Sequence, residues 1–348
     1  MQIINAESSS IDIRLNESFP TASGTVGDRG GLRVRLQIDG APEGVGETAP
    51  IPGIDGPGLE SIAAEIDTWC AAAVGTSLDD AFGHLTASPA SPSPLARFAI
   101  HTALIDAKSR AAGIPLSQML RVGAMTQVRV NALVSEANPG AVHARVMQLV
   151  NDGMHAIKLK VGAVEPAQDV TRIIAASEAA GPNVALRLDA NRSWDAETAE
   201  RVVGRVGMHR IDYLEDPTSD VSEFHSIEVA TGVSVALDLP LTNDPIAEIE
   251  RANTSIVVIK PAAIGGVDRI MDLARDMPDV DIVISSSIDR EVALSAAIHA
   301  AAALPRSTRP HGLATGTIVR NMPASLIPTD GVLDVSAEPG VWTNQAQS

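Results

Sequence analysis

The chain has 348 residues, 45% of them hydrophobic, enough for one barrel-sized core and a second module. Its 26 Lys and Arg against 43 Asp and Glu leave a net charge of −17, which argues against nucleic acid or an anionic membrane surface as the main partner. The single cysteine, Cys70, excludes an intramolecular disulfide, and its apolar surroundings, Ile66–Val74, read as a packed thiol. No basic, apolar leader opens the sequence and no apolar run is long enough to span a bilayer, so the expected location is cytoplasmic.

Residues 1 to about 60 carry alternating segments such as Leu32-Arg-Val-Arg-Leu-Gln-Ile38, apolar on one face, followed by the hairpin signal Asp39-Gly40. This pattern predicts an antiparallel meander. Gly, Pro and Ser crowd Ser18–Gly31 and Pro50–Gly58, predicting two mobile loops. Pro-rich Ser88–Pro94 leads into an alanine-rich helix over Leu95–Ala112, and a further helix follows. Residues 1–125 therefore read as one α+β module.

Regular strand and helix alternation begins near Val128-Arg-Val-Asn-Ala-Leu133 and continues to about Thr317, defining a second unit over 126–318. The tail, 319–348, can return to the first module as a strand through Gly331-Val-Leu-Asp-Val335. Within the second unit, Val184–Leu188, Ile211–Leu214, Val233–Leu237, Ser255–Ile259 and Asp281–Ile284 are short and largely apolar, as expected of parallel strands buried on both faces. Helices fill the gaps. Ser193 is placed to cap one whose Ala199, Val202, Val203 and Val206 share a face; Val170, Ile173 and Ile174 mark another, ended by Gly181.

Charge appears as these runs stop. Lys160, Asp189, Glu215, Asp238 and Lys260 follow one another at intervals of 29, 26, 23 and 22 residues, each the length of one βα unit. A closed parallel barrel brings all five to the same rim, the face where such folds do chemistry. The fold class is α/β, a (β/α)7β-type TIM barrel with an α+β capping domain built from the N-terminal region and the C-terminal tail.

Asp189, Glu215 and Asp238 would converge at that rim and repel one another unless a cation neutralised them; oxygen-only ligands suit Mg²⁺, and the same donors accept Mn²⁺. The plain alternative is a set of surface or loop-capping carboxylates. Lys158 and Lys160 stand two apart, hence on one face, and Lys260 lies across the barrel. An ammonium near a second ammonium and a divalent cation has its pKa lowered, which makes it a usable base; the plain alternative is a salt-bridging lysine. A metal opposite a lysine base is equipment for taking a proton from the carbon next to a carboxylate. Of the histidines, His101, His155 and His299 read as packed or surface residues, and His311, in the eighth strand-end loop, is the exception.

The successive segments Lys158-Leu-Lys160, Leu188-Asp-Ala-Asn191, Leu214-Glu-Asp-Pro217, Ala236-Leu-Asp238 and Ile259-Lys260 resemble the motifs of the enolase superfamily, in its muconate-lactonizing branch. Gly44-Val-Gly-Glu-Thr-Ala-Pro50 is similar to a capping-domain loop that lies over the active site. Within the branch, Ile284-Ser-Ser-Ser-Ile-Asp289, the Ala293–Pro305 helix and His311-Gly-Leu-Ala-Thr-Gly316 most resemble the o-succinylbenzoate synthases, Mg²⁺-dependent dehydratases acting on a small carboxylate.

This resemblance implies Lys160 as the acid/base, Lys260 as a stabilising cation and Asp189, Glu215 and Asp238 as metal ligands. It further implies that Lys158, Asn191, Ser285, Ser286, His311 and Gly312 bind or support the substrate, while Glu47 and the Ser18–Gly31 loop close the site. Leu239 stands where the family commonly has an acidic residue, and Arg192 carries no assignment. Racemases of acylated amino acids and dipeptide epimerases keep the same constellation. A non-catalytic barrel that binds a metal or anion is the alternative of another class. Alanine-rich helix surfaces permit a homo-oligomer without specifying one.

Overall fold

The computed structural model describes residues 1–21, 24–53, 56–87, 92–207, 211–306 and 309–342. The N-terminal part opens with β1 (Ile3–Ile13), a short antiparallel hairpin of β2 (Phe19–Thr21) and β3 (Gly24–Val26), β4 (Arg29–Ile38) and β5 (Ala41–Thr48). β1, β4 and β5 form an antiparallel sheet in the order β1-β4-β5, with Gly40 in the left-handed conformation between the last two. Along β4 the alternation holds: Leu32, Val34, Leu36 and Ile38 are buried while Arg33 and Arg35 are half-buried and Gln37 is exposed. The Ser18–Gly31 expectation of a loop is corrected in part. Residues 19–21 and 24–26 pair, and 29–31 already belong to β4. Residues 22–23 and 54–55 of the two expected loops, and 88–91 of the Pro-rich segment, lie outside the described residues.

Helices α1 (Leu59–Ala73), α2 (Leu78–Ala87), α3 (Pro94–Ala112) and α4 (Leu116–Leu120) follow. α3 is buried along nearly its whole length, because β5 lies directly on it. A Cβ on Gly46 would collide with the Ala99 carbonyl oxygen, so glycine is what lets strand and helix approach. Cys70 is buried in α1 and its thiol is pushed up to about 12 by burial, as expected of a packed cysteine.

After β6 (Gln127–Arg129) the chain alternates: β7 (Ala132–Val134), α5 (Pro139–Asn151), β8 (Ala156–Lys160), α6 (Pro166–Ala180), β9 (Ala185–Asp189), α7 (Ala196–Val206), β10 (Ile211–Glu215), α8 (Phe224–Thr231) and β11 (Val235–Asp238). It continues with α9 (Pro245–Ala252), β12 (Ile256–Ile259), α10 (Pro261–Ile264), α11 (Val267–Asp276), β13 (Asp281–Ile284) and α12 (Glu291–Ala303). β7 to β13 form one parallel sheet in sequence order. Its edges are joined by a further parallel segment, in which His311 bridges Val130 and Gly312 bridges Ser285.

Two apolar layers follow from the period of two along each strand. Outward residues such as Leu159, Leu188, Leu214, Leu237 and Ile259 pack under the helices, while Tyr213, Ala236, Ile256, Val258 and Val283 form a separate cluster. Two helix details depart from expectation. Asp195, not Ser193, caps α7, its carboxylate accepting from Thr198 N at 2.8 Å. In α6, Ile174 is 39% exposed, and the buried face runs through Asp169, Arg172, Ile173, Ala176 and Ala180, with Gly181 as the C-cap. β14 (Val332–Asp334) pairs antiparallel with β6, and the tail beyond it donates from Val341 N to Asp106 of α3. No helix among the described residues is long and apolar enough to cross a membrane.

Candidate active site

Register places the charged strand ends side by side. Lys160 is opposite Asp189, Asp189 is opposite Glu215, and Glu215 is opposite Ala236, so Asp238 stands two residues farther along its strand. Alternation then puts Lys158 with Lys160, Arg187 with Asp189, Tyr213 with Glu215 and Ala236 with Asp238 on common faces.

The lysines occupy the carboxylates. Lys158 Nζ lies 2.7 Å from Asp189 Oδ2 and 2.6 Å from Glu215 Oε1. Lys160 Nζ lies 2.7 Å from Asp189 Oδ2 and donates to Asn191 Oδ1 at 2.7 Å. Lys260 Nζ reaches both oxygens of Asp238, at 2.6 and 2.5 Å. Three ammonium groups thus meet three carboxylates and offset their mutual repulsion. Among the described residues no group of three or more acidic, His or Cys side chains is drawn together as a metal cage.

The electrostatics follow from that pairing. Burial opposes ionisation of Asp189, but Lys158 and Lys160 hold it well below the usual carboxylate range. Burial and the Asp189 charge push Glu215 up to about 8, against the pull of Lys158, and its Oε2 is buried without a partner. For Lys158 and Lys260 burial favours loss of the proton, yet the carboxylates outweigh it and raise both.

The strand ends are also strained. Asn191 (φ 45°), Arg192 (φ 62°) and Asp216 (φ 44°) all adopt left-handed backbone, a costly conformation that the surroundings must over-determine. Asn191 N donates to Asp189 Oδ1 at 3.0 Å, so the turn that aims the Asn191 amide at Lys160 is tied to the same carboxylate. Arg192, to which the sequence reading attached nothing, donates to Asp216 at 2.8 Å, and Asp216 in turn accepts from Asp238 N at 3.0 Å. Arg172 fixes the other side by donating from Nη2 to the Lys160 carbonyl at 2.8 Å. An arginine three residues beyond the charged strand end Asp189 was the available signal.

A family model described as Enolase C-terminal domain-like matches residues 141–341. The chain belongs to the enolase superfamily. Among its relatives there, the o-succinylbenzoate synthase of Thermobifida fusca is 31% identical over 214 residues, 60% of this chain and 66% of that protein. The L-Ala-D/L-Glu epimerase of Bacillus subtilis is 29% identical over 322 residues, 89% of this chain and 87% of that one. A dipeptide epimerase from Enterococcus faecalis, solved with Mg and the dipeptide L-Leu-L-Tyr, superposes with a TM-score of 0.89 over 98% of this chain and 99% of its own at 22% identity, which shows a shared fold.

Of the other residues that the enolase-superfamily motifs singled out, His311 and Glu47 are buried, while Ser285 and Ser286 follow directly on the end of β13. His311 is 1% exposed and its Nδ1 accepts from Ile284 N at 2.9 Å, so it is built into the barrel wall; burial, with Arg187 and Arg129, lowers it to about 3. Gly312 pairs beside it, accepting from Ser285 Oγ at 3.4 Å, and Ser286 Oγ is 2.6 Å from Thr315 Oγ1. Glu47 is 1% exposed and spends its carboxylate on Arg33 and on the first amides of α12, not on the barrel mouth. Leu239 is buried among apolar residues, on the face opposite Asp238. His101 and His299 are buried, each lowered to about 4 by burial, and His155 is exposed.

Proposed function

We propose that this superfamily member is a Mg²⁺-dependent o-succinylbenzoate synthase, removing water from 2-succinyl-6-hydroxy-2,4-cyclohexadiene-1-carboxylate. The set of three carboxylates bracketed by Lys160 on one strand and Lys260 four strands away supports proton abstraction beside a carboxylate, and the similarity to o-succinylbenzoate synthases at 31–32% identity carries the choice of substrate. The residues present fit a divalent cation: Glu215 Oε2 is buried without a partner, Asp189 is its neighbour in register, and the donors are all carboxylate oxygens. Asp189, Glu215 and Asp238 would hold the ion. When bound, it supplies positive charge against the negative charge that develops on the substrate carboxylate.

The chain's own groups do the rest. Lys160, oriented by Asn191, takes the proton from the carbon next to the carboxylate and returns it to the departing hydroxyl on the same face. Lys260 holds positive charge on the opposite face, and Lys158 braces Asp189 against Glu215. Ser285 and Ser286 offer hydroxyls to the substrate. We read 126–318 as the barrel of a cytoplasmic enzyme, and 1–125 with the tail 319–348 as its cap. Ser18–Gly31 and Glu47–Gly58 then form a lid that excludes water. Arg29, bonded to carbonyls just past β13, and Gly56, beside Leu241 just past β11, support that placement.

Epimerisation of a dipeptide is the second reading, favoured by the epimerase similarity over 89% of the chain. Purified protein incubated with the cyclohexadiene acid and Mg²⁺ should form o-succinylbenzoate, and a chelator should stop it. Epimerisation of L-Ala-L-Glu or racemisation of acylated amino acids, with no o-succinylbenzoate formed, would overturn the assignment.

A further inference from the structure

The segment Ser285–Glu291, which joins β13 to α12, is gripped by the N-terminal sheet. Arg29, 8% exposed, donates from Nη2 to the carbonyl oxygens of Ser287 at 2.5 Å and Ile288 at 2.9 Å. Between those carbonyls Ile288 has φ 60°, a conformation that a β-branched residue strongly avoids. Its side chain packs into a small separate core with Ile13, Leu15, Val26, Ala49 and Val319. Inside the turn, Ile288 N donates to Ser286 Oγ at 3.3 Å, and Ser287 N donates to Asp289 at 3.0 Å.

A second grip lies five residues on. α12 has no side-chain cap of its own, and Glu47 Oε2 accepts from Val292 N at 3.0 Å and Ala293 N at 3.4 Å instead. Arg33 joins Glu47 to Glu291, donating to the latter at 2.9 Å. A strained turn persists only where its surroundings over-determine it, and here Arg29 and the apolar contacts from Ile13, Leu15, Val26 and Ala49 come from the N-terminal sheet or its loops, joined by Val319 on Ile288 and Thr315 on Ser286.

We propose that Arg29 and Glu47 are positioning residues that clamp the left-handed turn at Ile288 and the start of α12. They thereby fix the Ser285 and Ser286 hydroxyls against a carboxylate of the substrate. The clause about the substrate rests on the synthase reading; the clamp itself does not. Release of Arg29 lets Ile288 relax toward negative φ, which withdraws the turn's amide from the Ser286 hydroxyl and leaves that hydroxyl to Thr315 Oγ1 alone. The effect belongs to substrate binding more than to the proton transfer at Lys160.

The test compares wild type with Arg29→Met, which keeps an apolar stem and removes the donors, with Ile288→Gly, which adopts positive φ without strain, and with the double variant. Amide hydrogen exchange over residues 284–293 and steady-state o-succinylbenzoate formation are measured on each. Arg29→Met should raise exchange in that segment and raise KM by about tenfold, with kcat changed much less; loss of a positioning contact has effects of this order. The double variant should recover KM to within about threefold, because glycine removes the need for the clamp. If Arg29→Met fails to fold, Arg29→Lys, which keeps the charge but not the fork, carries the same comparison. Unchanged exchange and KM in the Arg29 variant would overturn the proposal, and so would a KM defect that the double variant does not recover. If wild type makes no o-succinylbenzoate, the synthase reading fails alone and the exchange data decide the clamp.

Discussion

At the rim of the barrel lysines meet carboxylates, and one layer below, toward the floor, arginines do. Below, Arg187 donates to Asp212 at 2.9 Å, to Asn131 at 2.9 Å and to the Pro310 carbonyl at 2.6 Å, while Arg309 joins Asp212 to Asp281. Both guanidinium groups lie over the Tyr213 ring, at 4.7 and 5.9 Å. These planar forks make many directed bonds and cannot lose a proton, which suits a fixed plug. Above, Lys158, Lys160 and Lys260 are compact charges on flexible stems beside left-handed backbone at Asn191, Arg192 and Asp216. Each cluster leaves one buried atom unpartnered: a donor below, Arg187 Nη2, and an acceptor above, Glu215 Oε2. Under the proposal above, the unpartnered oxygen at the rim is where a cation would be taken up, whereas the arginines of the floor keep their charge.

The comparison breaks if the two layers respond alike to substitution. Lys160→Ala should lower o-succinylbenzoate formation by ~10²–10⁴-fold, the range for removing a general acid or base, while the thermal midpoint stays near wild type. Arg187→Met should do the reverse in kind, lowering stability by ~1–3 kcal/mol in urea titration, because Asn131 and the Pro310 carbonyl lose a buried donor while Asp212 keeps Arg309.

Acid should separate the layers further. His311 titrates near 3 in the folded chain and near 6.5 unfolded, so the unfolded chain binds the extra proton first. Stability from this group is complete above pH ~6.5 and is lost progressively as pH falls toward 3, by ~2 kcal/mol at pH 5. His101 and His299, each lowered to about 4, act in the same direction. Urea midpoints measured from pH 7.5 to 5 should fall, and should fall less in His311→Gln.

Much of the barrel was legible because parallel strands buried on both faces must be apolar until they reach the rim, and Lys160, Asp189, Glu215, Asp238 and Lys260 mark where each stops. The closing bridge was not, because two residues, His311 and Gly312, carry no strand-like run. Arg187 stood inside Ala185-Leu-Arg-Leu-Asp189, where a charge within an apolar strand was a signal for the floor that spacing at the rim obscured. Pairing of Lys158 with both Asp189 and Glu215 depends on register between strands 29 and 26 residues apart in sequence, which no local pattern encodes. The assignment of the α7 cap to Ser193 erred for a local reason: Ser193 N is already committed to the Ala190 carbonyl, and Asp195 is the residue with extended backbone before the first turn.

The most direct test of the account is a calorimetric titration of the purified chain with Mg²⁺, run beside Glu215→Gln and Asp189→Asn. The account predicts saturable binding of one ion per chain in the wild type and its loss in both variants, since their carboxylates would hold the ion. No binding at millimolar Mg²⁺, or equal binding in all three proteins, would contradict it.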